Sequence, residues 1–299
     1  MVTTKHLDPV LTERFRFIDF LLLFKGQLTR TELVKRFSIG EATASRTIAS
    51  FLDMHSDDVD FLSPRYGYRA NPYYKHKYEH DPIAGLQYIA YGTVTQKFGI
   101  ERYGLDICKL VNQLDIANIA SICRAIVNKS TLHIQYVSTT SGIKDRLVSP
   151  HSLFEAGGLW YFRAYDKSAY EFRTFKFSRV IKVFPLHQDS PMEHSKARDD
   201  IWNRQRLVEL MPHPRNPIPD AQLSDLGVKD GEYRSMLISE ALIGFVLNDM
   251  RVDCSTNHKL NFLEYPLALK NRTELLSVES MSFAPGFVTN TEITKKTVT

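Results

Sequence analysis

The apolar and polar residues between Leu147 and Val183 alternate in short runs that predict three β-strands joined by tight turns. The first run, Ser152–Ala156, ends at Gly157-Gly158, a pair that tolerates the positive φ of a two-residue hairpin. The second strand is predicted over Leu159–Asp166 and the third over Glu171–Phe177. This stretch has the strongest strand pattern in the chain.

Alternation within the middle strand assigns its side chains to two faces. Trp160, Phe162 and Ala164 share an apolar face that suits a protein core. The opposite face sets an arginine between two tyrosines, Tyr161, Arg163 and Tyr165. Exposed arginine is common, so the residues alone favour a solvated face over a binding surface.

Apolar residues at helical spacing dominate the N-terminal part of the chain. A helix is predicted over residues 8–25, with Asp8 as its cap and Pro9 in its first turn. Two capping boxes of the form Ser/Thr-x-x-Glu follow, beginning at Thr29 and at Ser38, and each predicts the start of a helix. Two helices that restart so close together must turn sharply, which predicts a helix-turn-helix.

The second of these two helices, running to about Met54, divides into an inward and an outward stripe. The residues expected to face inward are Ala42, Ile48, Ala49 and Leu52. The outward stripe has short polar groups around one arginine, which suits the major groove of DNA, whereas a merely solvated face usually carries more Glu and Lys. The candidate DNA-binding residues of this stripe are Thr43, Arg46, Thr47 and Ser50.

A predicted β-hairpin follows, with strands at Val59–Ser63 and Tyr66–Arg69. A hairpin behind such a helix is the wing of a winged helix, and we expect Arg65 and Arg69 to contact backbone phosphates. Residues 1–80 contain 12 Lys and Arg against 10 Asp and Glu. This small surplus predicts weak DNA binding by one copy, so we expect a homodimer that doubles the phosphate contacts.

Past residue 80 the pattern predicts a helical connector, including a helix at Ile83–Phe98, before the central strands. A polar stretch from His187 precedes a last unit in which strands and helices are mixed, as in a small α+β domain. Its predicted elements are strands Arg206–Met211 and Glu232–Ile238 and helices Asp220–Leu226 and Glu240–Arg251.

Composition excludes several classes of protein. The chain of 299 residues is 43% hydrophobic and 24% charged, as in ordinary globular proteins, and its net charge of +4 permits nucleic-acid binding without requiring it. Three scattered cysteines are too few for a disulfide framework or a zinc site. No apolar run is long enough to cross a bilayer, so we expect a cytoplasmic protein without membrane contact. We also expect no metal and no cofactor.

Catalytic motifs are missing from the sequence: it has no G-x-G-x-x-G, P-loop, H-E-x-x-H or nucleophile elbow. Asp220, Asp225 and Lys229 have the composition of a nuclease site but not its strand-borne carboxylate-x-lysine. We therefore expect no enzyme, with a metal-dependent nuclease as the alternative.

The central strands carry a pattern with a known counterpart. Pro150 precedes a hydrophobic strand, followed by Gly-x-Trp-Tyr-Phe-x-Ala at Gly158–Ala164, Arg-x-Phe from Arg173 and Ser-Arg-Val from Ser178. With the upstream strand Leu132–Tyr136 and Arg146, this pattern resembles the WYL domain of bacterial transcription regulators, except that Phe162 stands where the family has leucine. The resemblance implies a Sm-like β-barrel that senses a ligand, often nucleic acid or a nucleotide, beside a DNA-binding domain.

The resemblance also implies a ligand pocket. Arginines beside tyrosines suit a ligand with phosphates to pair and bases to stack. The expected ligand-binding residues are Tyr136, Arg146, Ser149, His151, Tyr161, Arg163, Arg173 and Arg179.

The order of domains is similar to that of compact repressors encoded beside bacterial phage-defence systems of the BREX and CBASS types. The expected fold class is α+β multidomain: a winged helix-turn-helix at residues 1–80, a helical connector at 81–114, a WYL domain at 115–186 and a C-terminal dimerisation domain at 187–299. The expected function is a homodimeric regulator that binds an inverted repeat in double-stranded DNA and answers to a nucleotide or nucleic-acid effector. The alternatives are a WYL activator that responds to DNA damage and a nucleic-acid- or nucleotide-binding module that tunes an effector without acting at promoters.

Overall fold

The computed structural model describes residues 8–53, 58–72, 74–92, 114–229 and 231–288. The chain divides into two compact units. The first comprises Met1–Phe154 and Trp160–Ser195, and the second comprises Glu155–Leu159 and Lys196–Thr299. None of the helices in the described ranges combines the length and hydrophobicity that crossing a bilayer requires.

The first unit begins with a winged helix-turn-helix. Its helices are α1 (Pro9–Phe24), α2 (Arg30–Phe37) and α3 (Glu41–Asp53), and its strands are β1 (Gln27–Leu28), β2 (Val59–Ser63) and β3 (Gly67–Ala70). The three strands form a small antiparallel sheet in the order β1-β3-β2. The predicted helix-turn-helix and wing are thus confirmed as elements.

The helix starts follow the sequence signals in two of three cases. The side chain of Asp8 accepts a hydrogen bond from the amide of Val10, as predicted for the cap of α1. In the capping box of α2, the amide of Thr29 donates to Glu32 Oε2 at 2.8 Å. The second predicted box is wrong, because Ser38 adopts a left-handed conformation that ends α2, and the carbonyl of Gly40 accepts the first bonds of α3.

The rotation of α3 differs from the prediction. Ala42 and Ala49, expected to face inward, are exposed, whereas Thr47, expected to face outward, is only 4% exposed. The cause is Phe51, which packs edge-to-face against Phe15 of α1 with ring centroids 5.6 Å apart. This large ring sets the buried stripe of the helix, and small alanines do not compete with it.

In its described residues, the rest of the first unit contains two α-helices and one sheet. They are α4 (Pro82–Tyr91), α5 (Ile116–Asn128), β4 (Ser130–Ser138), β5 (Gly142–Ala156), β6 (Leu159–Asp166), β7 (Glu171–Lys176) and β8 (Val180–Asp189). Within the predicted helix Ile83–Phe98, residues 93–98 lie outside the described residues. Both Gly157 and Gly158 have positive φ, as predicted for the β5–β6 turn.

The expectation of a closed Sm-like barrel is wrong for the strands that the structure describes. They form an open five-stranded sheet in the order β7-β6-β5-β4-β8, with β7 and β8 at its edges. Although only the 3₁₀ turn Phe177–Arg179 separates these two strands, β8 pairs with β4 along most of its length. That pairing places β8 at the edge of the sheet opposite β7.

One continuous core joins the winged helix to this sheet. Gly85 of α4 lies so close to Phe24 of α1 that an added Cβ would be 2.4 Å from the ring. The guanidinium of Arg124, in α5, donates to the carbonyl of Leu23 at the end of α1 at 2.9 Å. These contacts make α1, α4 and α5 a packed layer between the helix-turn-helix and the strands.

The second unit is a small α+β fold, as predicted. Its elements are α6 (Asp200–Asn203), β9 (Gln205–Pro212), α7 (Asp220–Asp225), β10 (Arg234–Ser239), α8 (Ile243–Asp249), β11 (Val252–Asp253) and β12 (Leu267–Leu269). The sheet has the order β10-β9-β12-β11. The last predicted helix is shorter than expected, because residues 240–242 turn before α8 begins.

Candidate DNA-binding and ligand-binding sites

The exposed face of α3 carries small side chains around one arginine. Arg46 is exposed, and its Nε donates along the helix to the carbonyl of Ala42 at 3.4 Å. Between the exposed Glu41 and Asp53 at the two ends of the helix, the exposed members of the face are Ala42, Ser45, Arg46, Ala49 and Ser50. Because four of these five side chains are short, the backbone of the helix can approach base edges closely while the arginine reaches out.

The predicted DNA-binding set is only partly on this face. Arg46 and Ser50 are exposed, and Thr43 is half-buried. Thr47 is buried, with its hydroxyl donating to the carbonyl of Thr43 at 2.9 Å, so it cannot face DNA as predicted. The sequence reasoning missed Ser45 and the two alanines, although the spacing of the buried residues 44, 48 and 51 would have located them.

The wing hairpin is fixed to strand β1 by close backbone packing. Gly67 has a φ of 70°, and an added Cβ there would lie 2.1 Å from the carbonyl oxygen of Leu28. Both predicted wing arginines are exposed: Arg65 lies in the turn, and Arg69 lies on β3, directly opposite Asp60. Asp58, one of the acidic residues before the wing, pairs with Lys77 at 3.1 Å, which offsets its repulsion of phosphate.

A buried carboxylate anchors the segment that follows the wing. Asp19 of α1 is fully buried and accepts bonds from the amides of Lys77 and Tyr78 at 3.0 Å and from His80 Nε2 at 2.7 Å. The Tyr74 hydroxyl also donates to it. Burial alone raises the pKa of Asp19, but these hydrogen bonds outweigh it and lower the pKa below its usual value. The ionised carboxylate therefore holds residues 74–80 against α1.

On the five-stranded sheet, the predicted polar face of β6 is present and partly buried. Tyr161 stacks on Phe154 of β5 with ring centroids 5.1 Å apart. Arg163, only 5% exposed, lies directly opposite Thr174 and donates to its hydroxyl at 3.3 Å. The aromatic pair Phe154–Tyr161 thus lies on the same strand face as the guanidinium of Arg163, which Thr174 holds in place.

Lys176 joins this face and was missed by the sequence reasoning. It lies directly opposite Tyr161, at the end of β7. Burial and the positive charge of Arg179 both lower the pKa of Lys176, and burial raises the pKa of Tyr161 while Arg179 opposes that rise. Because Lys176 and Arg179 repel each other, an anion bound beside them would be stabilised. Counting alternate residues forward along β7 from Thr174 would have found the lysine.

Two predicted arginines are placed elsewhere. Arg173 lies opposite Ala164, so it is on the other face of the sheet from Arg163, and it pairs with Glu171 at the surface. Arg146 pairs with the fully buried carboxylate of Asp166. The structure therefore does not bring either arginine alongside Arg163.

The predicted residues Ser149, His151 and Tyr136 lie near opposite ends of the face. His194 stacks on Tyr165 with ring centroids 3.9 Å apart, and its Nδ1 lies 3.2 Å from the hydroxyl of Ser149. His151 packs edge-on against Phe172. The hydroxyl of Tyr136, a buried residue, accepts a bond from the amide of Lys176 at 3.1 Å, so it supports the backbone under that lysine.

Acidic and histidine residues in the second unit form a buried pair rather than a metal cluster. His213 Nε2 lies 3.1 Å from Asp253 Oδ2, and both residues are buried. Across the described ranges, no group of His, Cys, Asp and Glu is arranged to hold a metal ion. Asp220 and Asp225, the carboxylates of the nuclease alternative, begin and end the short helix α7.

Comparison with known proteins gives two domain matches. The family model of the WYL domain matches residues 117–185, and that of the BrxR transcriptional regulator winged helix-turn-helix domain matches residues 11–86. A structure of PafBC from Arthrobacter aurescens is 13% identical, with a TM-score of 0.26, and covers 91% of this chain and 47% of that one. This chain thus spans about half of PafBC, and so low a TM-score supports no argument about the fold.

Relatives named DNA-binding transcriptional repressor CapW align over most of both chains. The protein from Pseudomonas aeruginosa is 28% identical over 280 residues, which is 88% of this chain and 89% of that one. The protein from Escherichia coli strain KTE188 is 25% identical over 280 residues, covering 89% and 90%. Because the matched domains coincide with the winged helix and the five-stranded sheet, this chain combines a WYL domain with a winged helix-turn-helix domain of the BrxR type, and it is similar to WYL-domain transcriptional regulators.

Proposed function

We propose that this protein is a repressor that binds an inverted-repeat operator as a homodimer and is controlled by a nucleotide or short nucleic acid bound to its WYL domain. The observation that carries the proposal is the exposed face of α3, which presents Arg46 among small side chains. Repressor names among the relatives support the direction of regulation. The BrxR-type domain and the resemblance to phage-defence regulators support a phage-defence operon as the target.

Arg46 is the residue we propose to read sequence. Bidentate contact between an arginine and the O6 and N7 atoms of guanine contributes about 1–3 kcal/mol of discrimination against other bases. The methyl groups of Ala42 and Ala49 suit contact with the methyl group of thymine. Arg65 and Arg69 of the wing contact phosphates in this proposal and add affinity without selecting sequence.

A homodimer follows from the charge of the winged helix. With 12 basic against 10 acidic residues in positions 1–80, one copy neutralises few phosphates. Two copies related by a twofold axis place their α3 helices at half-sites about 34–36 Å apart, or a multiple of that distance. We assign dimerisation to the C-terminal α+β unit.

The ligand is proposed to bind the polar face of β6 and β7. The stacked pair Tyr161–Phe154 offers an aromatic surface for a base, and Arg163, Lys176 and Arg179 offer positive charge for phosphates. For the ligand to control DNA binding, it must bind the DNA-bound and released forms with different affinity. Because α1, α4 and α5 pack between the strands and the helix-turn-helix, a structural change at the ligand site can reach the DNA-binding helices through direct contacts.

The test uses a duplex that the full-length protein selects from a random-sequence library. Cyclic nucleotides and short oligonucleotides are titrated against this complex, and DNA release is followed by fluorescence anisotropy. We expect one of them to change operator affinity by about fivefold or more, a typical allosteric coupling. Arg163→Ala and Lys176→Ala should lose the response. Arg173→Ala, on the other face, is the matched control and should keep it.

Two results would contradict this proposal. If no anionic ligand changes operator affinity, the WYL domain is not a sensor of nucleotides or nucleic acid. If Arg163→Ala and Lys176→Ala respond as the parent does, the ligand binds elsewhere. Transcription from a reporter that carries the operator should fall when the protein is supplied; a rise would make it an activator.

A further inference from the structure

The tip of the wing exposes three large apolar side chains. Phe61 is 59% exposed, Tyr66 is 61% exposed and Leu62 is 39% exposed. A short hairpin that only faced water would ordinarily carry polar residues at these positions, because exposed apolar groups on neighbouring strands promote association. Such a patch on a rigid element indicates a surface that is covered in the working complex.

The side chains are braced rather than loose. Phe61 lies directly opposite Tyr68, with ring centroids 5.2 Å apart, and Tyr68 in turn lies opposite the buried Leu28. One face of the wing sheet is therefore apolar from the core to its outer strand. The pairing of β2 with β3 shifts register between Phe61 and Ser63, which leaves Leu62 out of the ladder. A bulge of this kind re-aims side chains at functional edges.

The turn at the tip is also held in shape and carries a cation. The amide of Tyr66 donates to the hydroxyl of Ser63 at 3.2 Å, and Gly67 passes against the backbone of Leu28. The guanidinium of Arg65 lies 5.6 Å from the centroid of the Tyr66 ring. The tip thus combines a preformed apolar wedge with a positive charge beside it.

We propose that the wing inserts Phe61 or Tyr66 between base pairs of the minor groove next to each half-site, and so kinks the operator. The proposal rests on the proposed function, because it requires α3 in the adjacent major groove. Apolar wedges at a base step are known to unstack it and bend the duplex, and the accompanying arginine favours the negative potential of the groove. Charge therefore favours DNA over a protein as the occupant of this surface.

The insertion adds a second source of sequence specificity. Pyrimidine–purine steps unstack more easily than others, so the operator is selected at that position for deformability rather than for base contacts. We expect selected duplexes to carry a pyrimidine–purine step at a fixed distance from each half-site. The full-length protein should bend them toward the major groove.

The experiment places 2-aminopurine at successive positions of the selected duplex and records its emission when the full-length protein binds. Emission should rise at the wedge step with the parent and stay low with Phe61→Lys/Tyr66→Lys. Lysine keeps or increases the attraction to phosphate, so non-specific binding should stay within about twofold or tighten, while operator affinity falls about tenfold. Ile143→Lys, at an exposed apolar site of β5, is the matched control and should unstack the step like the parent.

Other outcomes overturn the proposal. No rise in emission at any position with the parent, or the same rise with the double variant, would mean that the wing does not insert. If the double variant bends DNA normally but has a different oligomeric state in solution, the tip is a protein-contact surface. If the double variant unfolds, the single changes Phe61→Lys and Tyr66→Lys carry the same test, and a rise like the parent's with both of them would overturn the proposal. Failure of the parent to select any sequence would refute the proposed function instead.

Discussion

The link between the winged helix and the WYL strands is most sharply tested by replacing Arg124 with methionine. The guanidinium of Arg124 donates to the carbonyl of Leu23, one of the last carbonyls of α1, which lack partners within the helix. Its Cγ and Cδ atoms pack over Gly26. Arg124→Met keeps most of this aliphatic packing and removes the donor and the charge.

The expected loss follows from these contacts. A hydrogen bond from a charged donor contributes about 1.5–3 kcal/mol, and a cation at a helix C-terminus adds about 0.3–1 kcal/mol. Burial lowers the pKa of Arg124, so the cost of desolvating its charge offsets part of this gain. We therefore expect Arg124→Met to lower the free energy of unfolding by about 2 kcal/mol. For a domain of this size that is a fall in Tm of about 4–8 °C.

Calorimetry of the full-length protein, combined with hydrogen exchange, measures this effect. Amides of α1–α3 and of β4–β6 should lose protection together, because they belong to one core. Arg173→Met is the matched control: it removes an exposed ion pair with Glu171, and we expect a change below about 1 kcal/mol. An unchanged Tm for Arg124→Met, or loss of protection confined to the strands, would refute the shared core.

Three further predictions concern packing, DNA reading and pH. Gly85→Ala should lower the free energy of unfolding by about 1–3 kcal/mol, measured by urea denaturation, because its Cβ would overlap the ring of Phe24; an unchanged midpoint would contradict this packing. Arg46→Ala should lose about 1–3 kcal/mol of discrimination between operator and mismatched duplexes in competition binding, whereas Thr47→Ala, a change at a buried site, should leave the discrimination unaltered. Burial and the charge of Lys167 lower the pKa of His194 below the ordinary histidine value of about 6.5, so the unfolded chain takes up the proton first and stability should fall as pH drops below that value toward the folded pKa. Urea midpoints between about pH 5 and 8 should show this fall in the parent, and a smaller fall in His194→Gln.

The sequence predicted the bounds of an element well where one strong local signal marks them. Asp8 with Pro9 marks the start of α1, and the alternation of Leu159–Asp166 gives the bounds of β6. The rotation of α3 was harder, because Ala42 and Ala49 fit either face of a helix. Only the packing of Phe51 against Phe15, a contact between distant parts of the chain, decides it.

The candidate ligand site shows the same limit. The face of β6 around Arg163 follows from alternation within one strand, but its partners on β7 depend on the turn at residues 167–170. That turn pairs Asp166 with Glu171, which places Thr174 and Lys176 beside Arg163 and Tyr161, and sends Arg173 to the other face. A shift of one residue would exchange these roles, since side chains alternate along a strand. The open form of the sheet and the stacking of His194 on Tyr165 likewise depend on contacts between residues far apart in the sequence.

The central claim, sequence-specific DNA binding through α3, is tested most directly by footprinting the full-length protein on the DNA upstream of its own gene, in excess non-specific competitor. We expect a protected inverted repeat with half-sites about 34–36 Å apart or a multiple of that distance, and loss of protection with Arg46→Ala but not with Thr47→Ala. Absence of a protected repeat, or equal protection by Arg46→Ala, would contradict it.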